Sequence, residues 1–200
     1  MKFESGIDLN NSVFTSLPAD SARLAGELIL RSVGEDINRE GLLRTPHRFA
    51  KAIKEICSGY TMTAADAVGE GVFEGEGNGL VSVRDIDFFS LCEHHMLPFW
   101  GQVQVAYYPS NKILGLSKIP RLVDVFSKRL QVQERLTREI AEALGEVINP
   151  RAVIVRITGE HMCMMMRGVK KTGSATTTEF SIGLDNLYPE EKARLWKAVE

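Results

Sequence analysis

Cysteine is scarce in this chain of 200 residues: there are three, widely spaced. An odd and scattered count excludes a disulfide framework and suits a reducing compartment. Long apolar runs are also missing, so no membrane-spanning segment is expected. The first residues, MKFESGIDLNNS, lack the apolar stretch of a signal peptide, and the expected location is the cytoplasm. There is no basic excess either. Lys and Arg number 24 against 26 Asp and Glu, a formal net charge of −2, which excludes a nucleic-acid coat and requires any anion site to be local. Residues 69–79, GEGVFEGEGNG, are rich in glycine but lack a lysine, and their three glutamates would repel phosphate. This segment reads as a loop and not as a phosphate cradle. What remains, 44% hydrophobic and 25% charged residues, is ordinary for a globular domain with a real core.

The first third reads as helix. Asp20 or Ser21 can cap a segment with Leu24, Leu28 and Leu30 on or near one face, ending around Gly34. In GLLRTPHRFAKAIKEICSGY, Thr45 stands as N-cap and Pro46 at the first helical position. Phe49, Ile53 and Ile56 turn inward, and the helix stops at Ser58-Gly59. Cys57, alone beside apolar residues, reads as a core thiol.

The pattern changes near residue 81. VSVRDIDFFSL alternates as a strand, and so does GQVQVAYYP, with Val103, Val105 and Tyr107 on one face and Gln102, Gln104 and Ala106 on the other. A helix then runs from Ser117 to about Leu130, and an amphipathic helix covers Val132 to Val147. RAVIVRITGEHMCMMMRG reads as one long strand and ATTTEFSIG as the last. The order strand, strand, helix, helix, strand, strand is an α+β layout: an antiparallel sheet with two helices on one face. A helical arm with the glycine-rich loop, residues 1–80, precedes a domain at 81–200.

Cys92, Glu93, His94 and His95 follow one another in SLCEHHMLPFW. Cys92 and His95 have the C-x-x-H spacing that lets one tight turn present thiolate and imidazole to a single zinc ion. The other cysteine–histidine cluster is GEHMC, with His161 and Cys163. On a continuous strand these two residues would project together, with Arg167 further along the same face. Three of the four histidines and two of the three cysteines fall in these two segments, which points to a metal site, with zinc favoured by two thiolates. Two forms stay open. A closed structural site would use Cys92, His95, Cys163 and either His94 or His161. A three-ligand site would leave a position for water, whose pKa zinc lowers toward about 7, with the spare imidazoles free for proton transfer.

LGLSKIPRLVDVF places Ser117, Lys118 and Arg121 at a helix start, where free N–H groups and the helix dipole favour an anion. Arg167 adds a further cation. QVQER opens the next helix with Gln133 and Glu134, and a carboxylate there can accept two parallel hydrogen bonds from a guanine edge. Met162, Met164, Met165 and Met166 read as packing residues.

Together CEHH, GLSKIPRLV, QVQERLT, HMCMMMRG and SATTTEF resemble the GTP cyclohydrolase I family, over Thr45 (TPHRFAK) to Gly183. The resemblance implies the tunnelling fold and a toroidal homodecamer with active sites at subunit interfaces. It implies conversion of GTP and water to formate and 7,8-dihydroneopterin triphosphate, the entry to folate or tetrahydrobiopterin synthesis. It also implies zinc on Cys92, His95 and Cys163, and acid–base roles for His94 and His161. Gln133 and Glu134 would hold the guanine, while Ser117, Lys118, Arg121 and Arg167, with Arg48 of TPHR, would hold the triphosphate. Two rivals are a nitrile reductase on the same fold, which would need a cysteine nucleophile and NADPH, and a non-catalytic zinc-stabilised module.

Overall fold

The structure is a computed structural model that describes residues 20–75 and 79–200. By internal packing the chain forms two units that divide between Glu55 and Ile56. The first unit holds α1 (Ser21–Ser32) and most of α2 (Thr45–Ile56). Gly26 lets the two helices approach closely, since a Cβ there would lie 2.9 Å from Phe49 Cδ1. Asp20 precedes α1 but its side chain makes no cap bond; it pairs with Arg23 instead.

The second unit begins with a short 3-10 turn, Ser58–Thr61, and α3 (Ala64–Val68), which Thr63 caps with a reciprocal capping box to Asp66. The stretch read as a plain loop contains a short strand, β1 (Val72–Glu74), which pairs antiparallel with β4 (Lys112–Leu114). Three residues between glycines carry too little alternation to register as a strand in the sequence, and the pairing comes from the partner 40 residues on.

The main sheet has five strands in the order β5-β2-β3-β6-β7: β2 is Val81–Cys92, β3 Pro98–Tyr108, β5 Leu130–Gln131, β6 Ala152–His161 and β7 Thr176–Ile182. All neighbours are antiparallel except β5, a two-residue edge that runs parallel to the end of β2. Its first residue, Leu130, is where the sequence placed the end of a helix. The register of β2 on β3 shifts between Val83 and Ile86, where Asp85 takes φ 56°. This bulge puts Phe88 inside and Phe89 outside.

One face of the sheet carries α4 (Lys118–Ser127) and α5 (Gln133–Ile148). Val103, Val105 and Tyr107 are fully buried there in one cluster with Leu122, Leu136, Ile140 and Leu144. Truncating one of these leucines to alanine would cost about 2–5 kcal/mol. Ala106 points the other way, as its alternation demands, but is not exposed. It is buried in a second cluster with Leu195 of the C-terminal helix α7 (Pro189–Lys197) and with Leu187 and Val199, which flank that helix. That helix was not read from the sequence, although Tyr188-Pro189-Glu190-Glu191 carries its signal: proline in the first turn and a glutamate at the third position, whose carboxylate accepts from the Tyr188 N–H at 3.0 Å.

The long strand expected through residue 168 ends at His161. Met162–Met165 form a single helical turn, α6, closed by Met166 N–H donating to Met162 O. The reason is loss of partners. Phe99↔His161 is the last pair between β3 and β6, and β7 pairs no further than Thr176↔Gly159. His161 and Cys163 are therefore not two residues on one strand face.

Candidate active site

Cys92 is the last residue of β2 and is buried. Its carbonyl accepts from His95 N–H at 3.3 Å and from Met96 N–H at 2.7 Å, and its own N–H donates to Leu97 O at 2.8 Å. Met96 takes φ 53° to complete this turn. The Glu93 N–H donates to Gln131 O at 3.0 Å, which ties the turn to β5. The turn holds the C-x-x-H pair together, leaving His94 and His95 exposed with ring centroids 6.3 Å apart.

Cys163, on the one-turn helix, meets this pair. The donor atoms of Cys92, His95 and Cys163 all lie within 4.8 Å of one another. Ligands at 2.0–2.3 Å from one tetrahedral ion stand about 3.5–4 Å apart, so two sulfurs and one imidazole nitrogen this close fit a single metal ion. This donor set contains neither His94 nor His161. His94 Nδ1 lies 3.8 Å from Cys92 Sγ, and His161 Nε2 lies 2.9 Å from Gln133 Oε1. Burial raises the Cys163 thiol above its ordinary pKa; neighbouring Cys92 adds to this and Arg167 opposes it. A bound cation acts in the opposite direction, favouring thiolate.

His161 is half-buried and stacks on Phe99, with ring centroids 4.7 Å apart and planes 3° from parallel. Burial lowers its pKa, an effect opposed by Glu134 nearby. Glu134 itself is exposed in the first turn of α5. Gln133, beside it, is buried at 2% exposure, with its side-chain amide engaged inside the protein.

The third residue of that helical turn was not singled out in the sequence. Arg135 pairs with Glu93 of the metal turn, donates from Nε to Gln131 Oε1 at 2.9 Å and from Nη2 to Leu130 O at 3.2 Å. Gln131 in turn donates to Glu139 Oε2 at 2.7 Å. The Arg135 hydrogen bond holds the Glu93 carboxyl below its ordinary pKa. Glu93 is thus engaged by an arginine and lies outside the donor set.

The sequence model of the family described as GTP cyclohydrolase I matches residues 23–200. The chain belongs to the GTP cyclohydrolase I family. Proteins named GTP cyclohydrolase 1 are similar to it over most of the chain. That of Deinococcus radiodurans is 52% identical over 86% of this chain and 79% of its own length. That of Campylobacter jejuni strain RM1221 is 52% identical over 83% and 86%. That of Leptospira biflexa is 51% identical over 84% and 91%.

The residues that family likeness assigns to a triphosphate lie in several places. Ser117 precedes α4, with Lys118 and Arg121 on its first turn. Lys118 is half-buried, and its side chain lies against Gly71, where a Cβ would come within 2.4 Å of Lys118 Cε. Arg167 is exposed just beyond α6, close enough to Cys163 to act on its thiol. Arg48 is an exposed residue of α2 in the first unit. Among the described residues, no helix is long and apolar enough to cross a membrane.

Proposed function

We propose that this chain hydrolyses GTP to formate and 7,8-dihydroneopterin triphosphate, the first step of folate or tetrahydrobiopterin synthesis. The observation that carries this reading is the three-donor set of Cys92, His95 and Cys163 flanked by two histidines outside it, in a chain of the GTP cyclohydrolase I family. Cys92, His95 and Cys163 would hold zinc, the metal that two thiolates and an imidazole suit best. Zinc with a free position supplies water activation and polarisation near neutral pH.

This chain's own residues do the rest. Glu134 accepts from the guanine N1–H and exocyclic amine. The free N–H groups at the start of α4, with Ser117, Lys118 and Arg121, hold the triphosphate, joined by Arg167 and Arg48. This remote binding fixes the imidazole ring of the base beside the donor set, a positioning effect on the reacting carbon, C8. Opening of that ring requires a proton on nitrogen as the C–N bond breaks, and His161 and His94 are the imidazoles that supply and recover protons. The protein would work in the cytoplasm as a homo-oligomer, by family likeness a decamer with active sites at subunit interfaces.

Formate release from GTP by the purified protein tests this reading, with metal content measured before and after chelation. Formate that disappears with zinc and returns when zinc is restored is the expected result. No formate from protein that contains zinc would reject the hydrolase reading in favour of a structural metal module.

A further inference from the structure

Gln133 stands at the first position of α5, yet its side chain turns inward. The two hydrogens of Nε2 are shared among three acceptors, Ile157 O at 3.1 Å, Thr176 O at 2.9 Å and Thr178 Oγ1 at 3.1 Å. Main-chain carbonyls only accept, so the amide NH₂ belongs on that side and Oε1 on the other. Oε1 lies 2.9 Å from His161 Nε2. An amide oxygen also only accepts, so His161 Nε2 carries the hydrogen and donates it. In the neutral ring the lone pair is then on Nδ1, at the opposite side of the imidazole.

Three further features hold Gln133 in this arrangement. Thr137 Oγ1 donates to Gln133 O at 2.7 Å, and Thr178 Oγ1 lies 2.6 Å from Thr137 Oγ1, closing a ring of hydrogen bonds back to the Gln133 amide. Gly159 leaves room for the amide oxygen: a Cβ there would come within 2.6 Å of Gln133 Oε1. The parallel stack on buried Phe99 fixes the plane of the ring that Gln133 fixes at its edge.

We infer that Gln133 is a positioning residue. Its side chain sets the plane and tautomer of His161, so that Nδ1 exchanges protons with the substrate, and it does not itself read the guanine. This deepens the proposed function and rests on it. A satisfied, buried amide has no hydrogen left for a ligand, whereas the neighbouring Glu134 is exposed and has its carboxylate to offer. Conserving the imidazole's orientation through an outer partner is the same device by which metal-bound histidines are held, and losing such a partner typically costs about 10–100-fold in activity.

The test is a double-mutant cycle on the zinc-loaded full chain, reading kcat, equilibrium GTP affinity and zinc content for Gln133→Met, His161→Ala and the pair. Gln133→Met should lower kcat by about 10–100-fold with zinc content and GTP affinity within about threefold of the parent. Once His161 is alanine, adding Gln133→Met should cost little more, because the residue acts through that ring. Weakened GTP affinity with kcat retained, in either background, would overturn the inference and return the side chain to base reading. An additive kcat loss in the pair would overturn it equally, since a merely structural effect persists without His161. Gly159→Ala gives a second route that leaves both partners chemically intact, and carries the cycle if Gln133→Met does not fold. It should lower kcat by displacing Oε1, and an unchanged kcat would count against the proposal. Formate from the parent chain is measured alongside, so failure of the hydrolase reading is seen separately from failure of the Gln133 role.

Discussion

Cys92 and His95 reach the donor set from a turn that closes largely on its own backbone, whereas Cys163 reaches it from a helical turn at the end of a strand. In the first segment, the main-chain bonds of Cys92, His95, Met96 and Leu97 define the geometry within six residues. In the second, His161 is held from outside, by Phe99 of β3 and Gln133 of α5. A local turn can be damaged through its backbone, and a segment held by distant neighbours through their side chains. The first turn of α5 serves both, because Gln133 faces His161 and Arg135 faces Glu93.

The largest effect should come from the donor set. Cys163→Ser is expected to lose zinc and formate production together, because two ligands rarely retain an ion that three hold. Full zinc occupancy in the purified variant, read by elemental analysis, would remove Cys163 from the ligands. His161→Ala should separate what Cys163→Ser joins. Metal stays, because the ring nitrogen lies with Gln133 and outside the donor set, while kcat falls by about 10²–10⁴-fold. Zinc loss in this variant would instead favour the closed four-ligand site.

Glu134→Ala moves the comparison from metal to base. Losing a charged acceptor for two guanine hydrogens should weaken GTP binding by roughly 100-fold, about 2.7 kcal/mol, with zinc retained. Affinity equal to the parent by equilibrium binding would end the guanine-reading role.

The unequal supports also explain what could be read in the sequence. Alternation in GQVQVAYYP gave the buried face of β3, because burial on one side of a sheet imposes a period of two. The metal donors could be found as residue types, since cysteine and histidine seldom cluster without a shared ion, and the three singled out stand within 4.8 Å. The break after His161 was not legible. MCMMM is as compatible with a strand as with a helix, and what ends β6 is the absence of partners from β3 and β7. Gln133 was noticed for its neighbour Glu134, and its inward turn follows from the carbonyls of Ile157 and Thr176, which no local pattern encodes. Arg135 was passed over for the same reason.

Arg135 offers a milder way to disturb the turn. Arg135→Gln frees Glu93 while leaving the backbone bonds of Cys92 intact. The pair is about one-third exposed, so stability should change by about 1 kcal/mol or less. As an outer partner of the metal turn it should lower zinc affinity by about 10-fold, read by competition with a chelator. Zinc affinity equal to the parent would make the Glu93 pair a surface contact only.

The last effect concerns the backbone alone. Met96 holds φ 53° and is 53% exposed, so its conformation matters more than its burial. A β-branched residue is poorly accommodated in the left-handed region, and Met96→Val should destabilise the fold by about 1–2 kcal/mol and loosen zinc. Met96→Gly should do neither, because glycine adopts this φ without penalty. Thermal unfolding with and without zinc separates the two. If valine and glycine behave alike, the turn is set by its side chains, by Glu93 on Arg135 and the donors on the ion. If they differ as expected, the first half of the donor set is in place before any ion arrives, and only the second half waits on its neighbours.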